Sequence, residues 1–225
     1  DTNGNAFAGI ADVTNWNFRT APTPEGGVEV PANKIVSSAY AVTGTLLVRD
    51  DYVLVGDEGG EEHRFERSQL NTIIPMLITR QLLPMLIEQG HGRIVNVGST
   101  FGSIGFAWFT AYSASKFGLR GFSEALRREL EGSGVGLTYV APRAVKTRLN
   151  SGAIYRMAEA VKMNMDEPQW VAQRIIEAIE HDASERYLGF PESLFTRINA
   201  LLPRVVDGAL RKQNLQMQPF ARGEN

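Results

Sequence analysis

Cysteine is absent from the 225 residues, which excludes disulfides and thiolate chemistry and accords with a reducing compartment. Histidine is scarce: His63, His91 and His181 lie far apart without ligand spacing, so they read as surface groups and no metal site is expected. An excess of charge is also missing, the net being −2 at pH 7, which leaves no electrostatic case for a nucleic-acid partner. No uninterrupted apolar run reaches the ~18 residues of a membrane span. Ile73 to Ile87 comes nearest, but Arg80 and Gln81 interrupt it, and Pro75 and Pro84 lie within it. No signal peptide is visible. The expectation is therefore a cytoplasmic α/β protein, for which 43% hydrophobic residues and this length supply a full core.

What is present begins with Tyr112 and Lys116 in the run AYSASK. Four residues apart on a helix, the phenol and the ammonium leave the same face one turn apart. A free tyrosine titrates near ~10. A cation about 5 Å away, at an effective dielectric of about 20, contributes on the order of 3 kcal/mol, or roughly two pKa units. A phenol so tuned is a usable general acid or base. The helix is expected over Ala111 to Glu131, closed by Gly132.

Ile94, Val95 and Val97 form a β-branched run between glycines and read as a buried parallel strand. Ser99 falls just past its carboxyl end, where open α/β sheets place their ligands. Asn71 stands at the start of the apolar stretch LNTIIPMLITRQLLPML, and a second strand, Val135 to Val140, runs into APRAVKT. Taken singly, each has a plain alternative: Ser99 and Asn71 as capping residues, Lys116 as a solvated charge, Tyr112 as packing. Further on, Pro168 starts a helix through Ile179, and Arg186 to Phe190 reads as the last short strand. Met157, Met163 and Met165 either line a lipophilic pocket or pack. The amphipathic tail from Pro191 to Gln213 either seals the core or docks on a partner or membrane surface.

Asn71, Ser99, Tyr112 and Lys116, with GRIVNVGSTFGSIG, AYSASKFGLRGFSEALRREL and the segment Pro142, Val145, Thr147, resemble a short-chain dehydrogenase/reductase over roughly residues 69 to 225. The resemblance implies the C-terminal half of a Rossmann-type doubly wound parallel sheet. It implies an oxidoreductase that moves hydride between NAD or NADP and a small alcohol or carbonyl substrate. Tyr112 would exchange the proton, Lys116 would lower its pKa and hold the cofactor ribose, Ser99 would orient the carbonyl, and Asn71 would fix a water. Pro142, Val145 and Thr147 would lie against the nicotinamide. The stretch Leu149 to Met163 would be a lid over the substrate. The helices around Ile73 to Ile87 and Ala111 to Glu131 would join a homodimer through a four-helix bundle, with Phe117, Leu126 and Leu130 either on that face or in the core.

Two departures stand out. Arg143 occupies the position where the family has glycine after Pro142, so its side chain must turn away or meet a phosphate or substrate. No Thr-Gly-x-x-x-Gly-x-Gly segment precedes Asn71; Thr43-Gly44, Gly56 and Gly59-Gly60 all lack the following helix that receives a pyrophosphate. Residues 1–68 are left unassigned as a β-rich or irregular segment, foreign or fused. Within them, Asp1 to Thr20 resembles the closing strand of a bacterial immunoglobulin-like domain, Pro22 to Gly27 reads as a linker, and LLVRDDYVLV as a hairpin about Asp50-Asp51. Strand Arg93–Val97 would then expose an edge, to be covered by strands of that segment or by another chain. A relic site in a non-catalytic interaction module, or a chimera, are the rival readings. A serine hydrolase is not, since VGSTFG lacks the Gly-x-Ser-x-Gly elbow.

Overall fold

The structure, a computed structural model, describes the backbone of 34–36, 46–48, 52–56 and 62–66, and residues 69–147, 150 and 152–222. The immunoglobulin-like expectation for Asp1 to Thr20 and the linker at Pro22 to Gly27 lie outside the described residues. The first strands are β1 (Lys34–Val36), β2 (Leu46–Val48), β3 (Tyr52–Gly56) and β4 (Glu62–Glu66). Strands β2, β3 and β4 form an antiparallel sheet, with Val48 opposite Val53 and Val55 opposite His63. The two ends of LLVRDDYVLV are thus paired antiparallel as a hairpin, and the charged step Asp50-Asp51 lies outside the described residues.

A π-helical turn, Gln69–Ile73, runs into α1 (Ile74–Gln89). Pro75 sits in the first turn, where its missing N–H costs nothing. Gly90, at φ 69°, ends the helix and returns its N–H to the Ile87 carbonyl. Ile74, Ile78 and Leu86 are buried, whereas Ile73, Leu77, Met85 and Ile87 form an exposed outer face. The π-turn lengthens the helical run beyond Ile73 to Ile87. By length and composition, the 21-residue Gln69–Gln89 is apolar enough to cross a membrane. This corrects the count made from the sequence, in which Arg80 and Gln81 cut the run short. An average over a helix tolerates that interruption.

The remaining elements are β5 (Gly92–Val97), α2 (Thr110–Glu129), β6 (Val135–Ala141), β7 (Ala144–Val145), α3 (Gly152–Ala160), β8 (Met165–Asp166), α4 (Pro168–Glu180), β9 (Glu185–Tyr187), α5 (Glu192–Leu201) and α6 (Pro203–Ala221). A parallel sheet has the order β1-β5-β6-β9. Strand β1 pairs Lys34 with Arg93 and Val36 with Val95, so the edge of β5 is covered from within the chain. The last strand is shorter and earlier than Arg186 to Phe190. Gly189, at φ 85°, turns the backbone, and Phe190 lies outside the strand at 74% exposure.

Successive residues of a strand face opposite sides of its sheet, and the core divides accordingly. Ile94 packs with Leu86, Leu126, Leu130 and Leu137 beneath α1 and α2. Its neighbour Val95 packs with Val140, Val171 and Ile179 beneath α4. Helices on both faces of a parallel sheet make this a doubly wound α/β fold. Each fully buried aliphatic side chain contributes about 1.5–3 kcal/mol. Leu126 and Leu130 therefore serve this core, while Phe117 is exposed.

Candidate active site

Helix α2 carries Tyr112 and Lys116 to the carboxyl end of the sheet. The Lys116 ammonium stands 5.9 Å from the centroid of the Tyr112 ring, close to the separation that four-residue helical spacing predicts. Lys116 is buried, and burial lowers its pKa from 10.5 to about 8. Among the described residues its hydrogen bond is to the Val97 carbonyl, at 3.3 Å. Two of its three N–H donors are thus left for other acceptors. The phenyl ring of Phe101 meets the Tyr112 ring edge-on at 6.2 Å.

Ser99 follows β5 in extended backbone, φ −163°, and caps the 3-10 turn Thr100–Gly102: its Oγ accepts the Phe101 N–H at 3.1 Å. Asn71 lies in the π-turn rather than at a simple helix start. Its Nδ2 donates to Ser115 Oγ at 3.2 Å, and that hydroxyl donates to the Tyr112 carbonyl at 2.7 Å. Thr72 Oγ1 adds a bond to the Ser115 carbonyl at 2.7 Å. The start of α1 is thereby fixed to the turn of α2 between Tyr112 and Lys116.

Pro142 is buried and its carbonyl accepts the Thr100 N–H at 2.9 Å, which ties the loop after β6 to the loop after β5. Val145 lies in β7, its carbonyl taking Asn150 Nδ2 at 2.7 Å. The Thr147 carbonyl accepts Tyr155 Oη at 3.0 Å, linking it to α3, which forms the middle of the expected lid. Arg143 is held by carboxylates on β8 and α5. It makes a two-point pair with Asp166, Nε to Oδ2 at 2.9 Å and Nη2 to Oδ1 at 2.7 Å, and a third bond to Glu192 at 2.9 Å. The hydrogen bonds to Asp166, against some desolvation, hold the guanidinium above its ordinary pKa.

Sequence reasoning missed Tyr139. Its Oη accepts the Ser99 N–H at 3.5 Å and donates to the Ser99 carbonyl at 3.4 Å, and burial pushes the phenol well above the usual tyrosine range. A Cβ on Gly98 would collide with the Tyr139 ring, and one on Gly102 would stand 2.7 Å from both Tyr139 Oη and the Lys116 carbonyl. The glycines of VGSTFG were the available signal.

Next to Tyr112 lies an apolar cluster in which Phe106, Met157 and Met217 are buried, with Phe101, Phe109, Met163 and Phe220 against them. Met157 and Met163 therefore pack, and Met165 lies on β8 instead. Two recesses among the described residues lie elsewhere: one of about 200 Å³ beside Arg127 and Tyr139, one of about 700 Å³ along β9 and α5. Neither is lined by Asn71, Ser99, Tyr112 or Lys116.

Residues 60–156 match the short chain dehydrogenase family. Over this segment the chain is similar to the short-chain dehydrogenases/reductases. It is 36% identical over 115 residues to the ketoacyl reductase HetN of Nostoc sp., covering 51% of this chain and 40% of that protein. It is 34% identical over 109 residues to the 3-amino-tetrahydro-pyrrolizinone reductase of Xenorhabdus hominickii, covering 48% and 38%. The chain thus spans about 40% of the length of those curated relatives. Solved short-chain dehydrogenases share its fold. One from Burkholderia cenocepacia J2315, in complex with NADP, has a TM-score of 0.55 at 21% identity, covering 64% of this chain and 56% of that one. One from Streptomyces avermitilis has a TM-score of 0.55 at 21% identity, covering 100% and 78%.

Proposed function

We propose that the chain carries the acid–base half of an NAD- or NADP-dependent oxidoreductase acting on an alcohol or carbonyl compound. The observation that carries this reading is the Lys116 ammonium, buried one turn from Tyr112 with N–H donors to spare. A buried cation with one neutral acceptor matches a ligand that brings hydroxyl groups, such as the ribose next to a nicotinamide. Pro142, Val145 and Thr147, after β6, would border the ring itself. The residues present fit that end of the cofactor; the pyrophosphate end has no glycine-rich turn in this sequence. When bound, the nicotinamide would supply or accept the hydride.

The protein's own part is to hold the substrate oxygen and move its proton. In oxidation Tyr112, as phenolate, takes the hydroxyl proton while the adjacent C–H bond gives up its electron pair; in reduction the phenol returns the proton to the oxygen. Lys116, while charged, favours the phenolate. Ser99 would donate its hydroxyl hydrogen to the substrate oxygen, its Oγ already fixed in place by the Phe101 N–H. Asn71, fixed through Ser115, would hold a water toward Tyr112. The exposed face of Ile73, Leu77, Met85 and Phe117 supports a homodimer through α1 and α2. The lack of cysteine supports a cytoplasmic setting.

The test follows loss of reduced-nicotinamide absorbance with a panel of aldehydes and ketones, for the chain and for Tyr112→Phe. Turnover that falls on the order of 10²-fold or more in Tyr112→Phe supports the proposal. Turnover untouched by that substitution removes Tyr112 from the chemistry. A chain that binds neither cofactor and turns over nothing favours a relic site in an interaction module.

A further inference from the structure

We propose that the corner between α5 and α6 is a docking surface for an anionic lipid bilayer, a peripheral contact independent of the dehydrogenase reading. From Ala200 to Val205 six consecutive residues are exposed, and all but Arg204 are apolar. Leu201 is 81% exposed, Leu202 60% and Val205 57%. This is a built turn and not a frayed end. Leu202, at φ −136° and ψ 63°, breaks the helix, and its N–H is bonded to the Ile198 carbonyl at 2.7 Å. Pro203 starts α6, and the Val205 N–H returns to the Leu202 carbonyl at 3.0 Å. With these two backbone bonds holding the turn, the corner presents three aliphatic side chains to solvent.

The two helices do not need these side chains for the core. Helix α5 fixes its inner side through buried Thr196 and through Asn199, which donates to the Ser103 carbonyl at 2.9 Å. Helix α6 buries Val206 and Met217, and Met217 and Leu210 join the Phe106 cluster. The tail therefore seals the core with one stripe and leaves an apolar corner over.

Charge selects the occupant. Arg197 and Arg204 flank the leucines, and Arg211 and Lys212 follow on α6, all exposed. Among the described residues none of these four has an ion-pair partner. Asp207 is the one carboxylate between Ser193 and Ala221, although the whole chain carries −2. Exposed apolar side chains on the same two helices as exposed cations that form no ion pair among the described residues match an interface of acyl chains below anionic headgroups. A second copy suits the corner less, because a two-fold contact would bring the same cations face to face.

The experiment sediments the full chain with vesicles of phosphatidylcholine, alone or mixed with phosphatidylglycerol. The expected result is binding to the mixed vesicles, weaker by roughly tenfold or more on phosphatidylcholine alone, and reduced by salt. The triple variant Leu201→Ser, Leu202→Ser, Val205→Ser and the double variant Arg197→Glu, Arg204→Glu should each lose roughly tenfold in partitioning, with unchanged thermal midpoints. No binding to the mixed vesicles, or equal binding by both variants, overturns the proposal. So does a light-scattering mass that falls in the triple variant, which would give the corner to a second copy. Cofactor affinity enters none of these readouts.

Discussion

Lys116 Nζ reaches the carbonyl oxygen of Val97 at 3.3 Å, so the ammonium one turn beyond Tyr112 is held against the last residue of β5. Helix α2 and strand β5 are thus joined by a desolvated cation, and the cost of that burial has measurable consequences.

Burial lowers Lys116 to about 8, below its ordinary 10.5. Between those values the unfolded chain binds more protons than the folded one, so stability from this group rises with pH. Its destabilising effect is present in full below about 8 and is relieved as pH rises through 8 toward 10.5. Lys116→Met should stabilise the fold by about 1–3 kcal/mol at pH 7. The gain should shrink above pH 10. Urea unfolding of both proteins at the two pH values checks the sign.

Arg143 and Asp166 form a two-point pair, with 17% and 9% side-chain exposure. Arg143→Gly restores the family's residue but leaves Asp166 and Glu192 without their cation. It should cost about 2–4 kcal/mol, since one partner of a buried pair is removed. Arg143→Gly with Asp166→Asn should recover part of that loss. Denaturant midpoints of the single and double variants measure the coupling.

Gly98 lies against the ring of Tyr139 so closely that a methyl group has no room. Gly98→Ala should therefore cost about 1–3 kcal/mol through overpacking and disturb Ser99. In a Tyr139→Leu background the added penalty should be smaller. Thermal unfolding of the four proteins gives the comparison.

Much of the sheet was legible because its signals are local. Ile94, Val95 and Val97 mark β5, Val135 to Val140 marks β6, and the Leu46 to Val55 run announces its own hairpin. Tyr112 and Lys116 were legible for the same reason, four residues on one helix. What was missed depends on contacts across the chain. Tyr139 supports Ser99 from 40 residues away, and Arg143 finds Asp166 and Glu192 at separations of 23 and 49. Asn71 reaches α2 from within a π-turn, and no periodicity in LNTIIPML distinguishes that turn from ordinary helix. The exposed Leu201 and Leu202 fit an amphipathic pattern in the sequence, and only the fold shows that both helices fill their core stripes without them.

The central claim is tested most directly by titrating NADH and NADPH against the purified chain, following nicotinamide fluorescence below pH 8. Saturable binding of at least one cofactor, weakened by roughly tenfold or more in Lys116→Ala, is the predicted result. No binding at millimolar cofactor, or binding indifferent to Lys116→Ala, would contradict it.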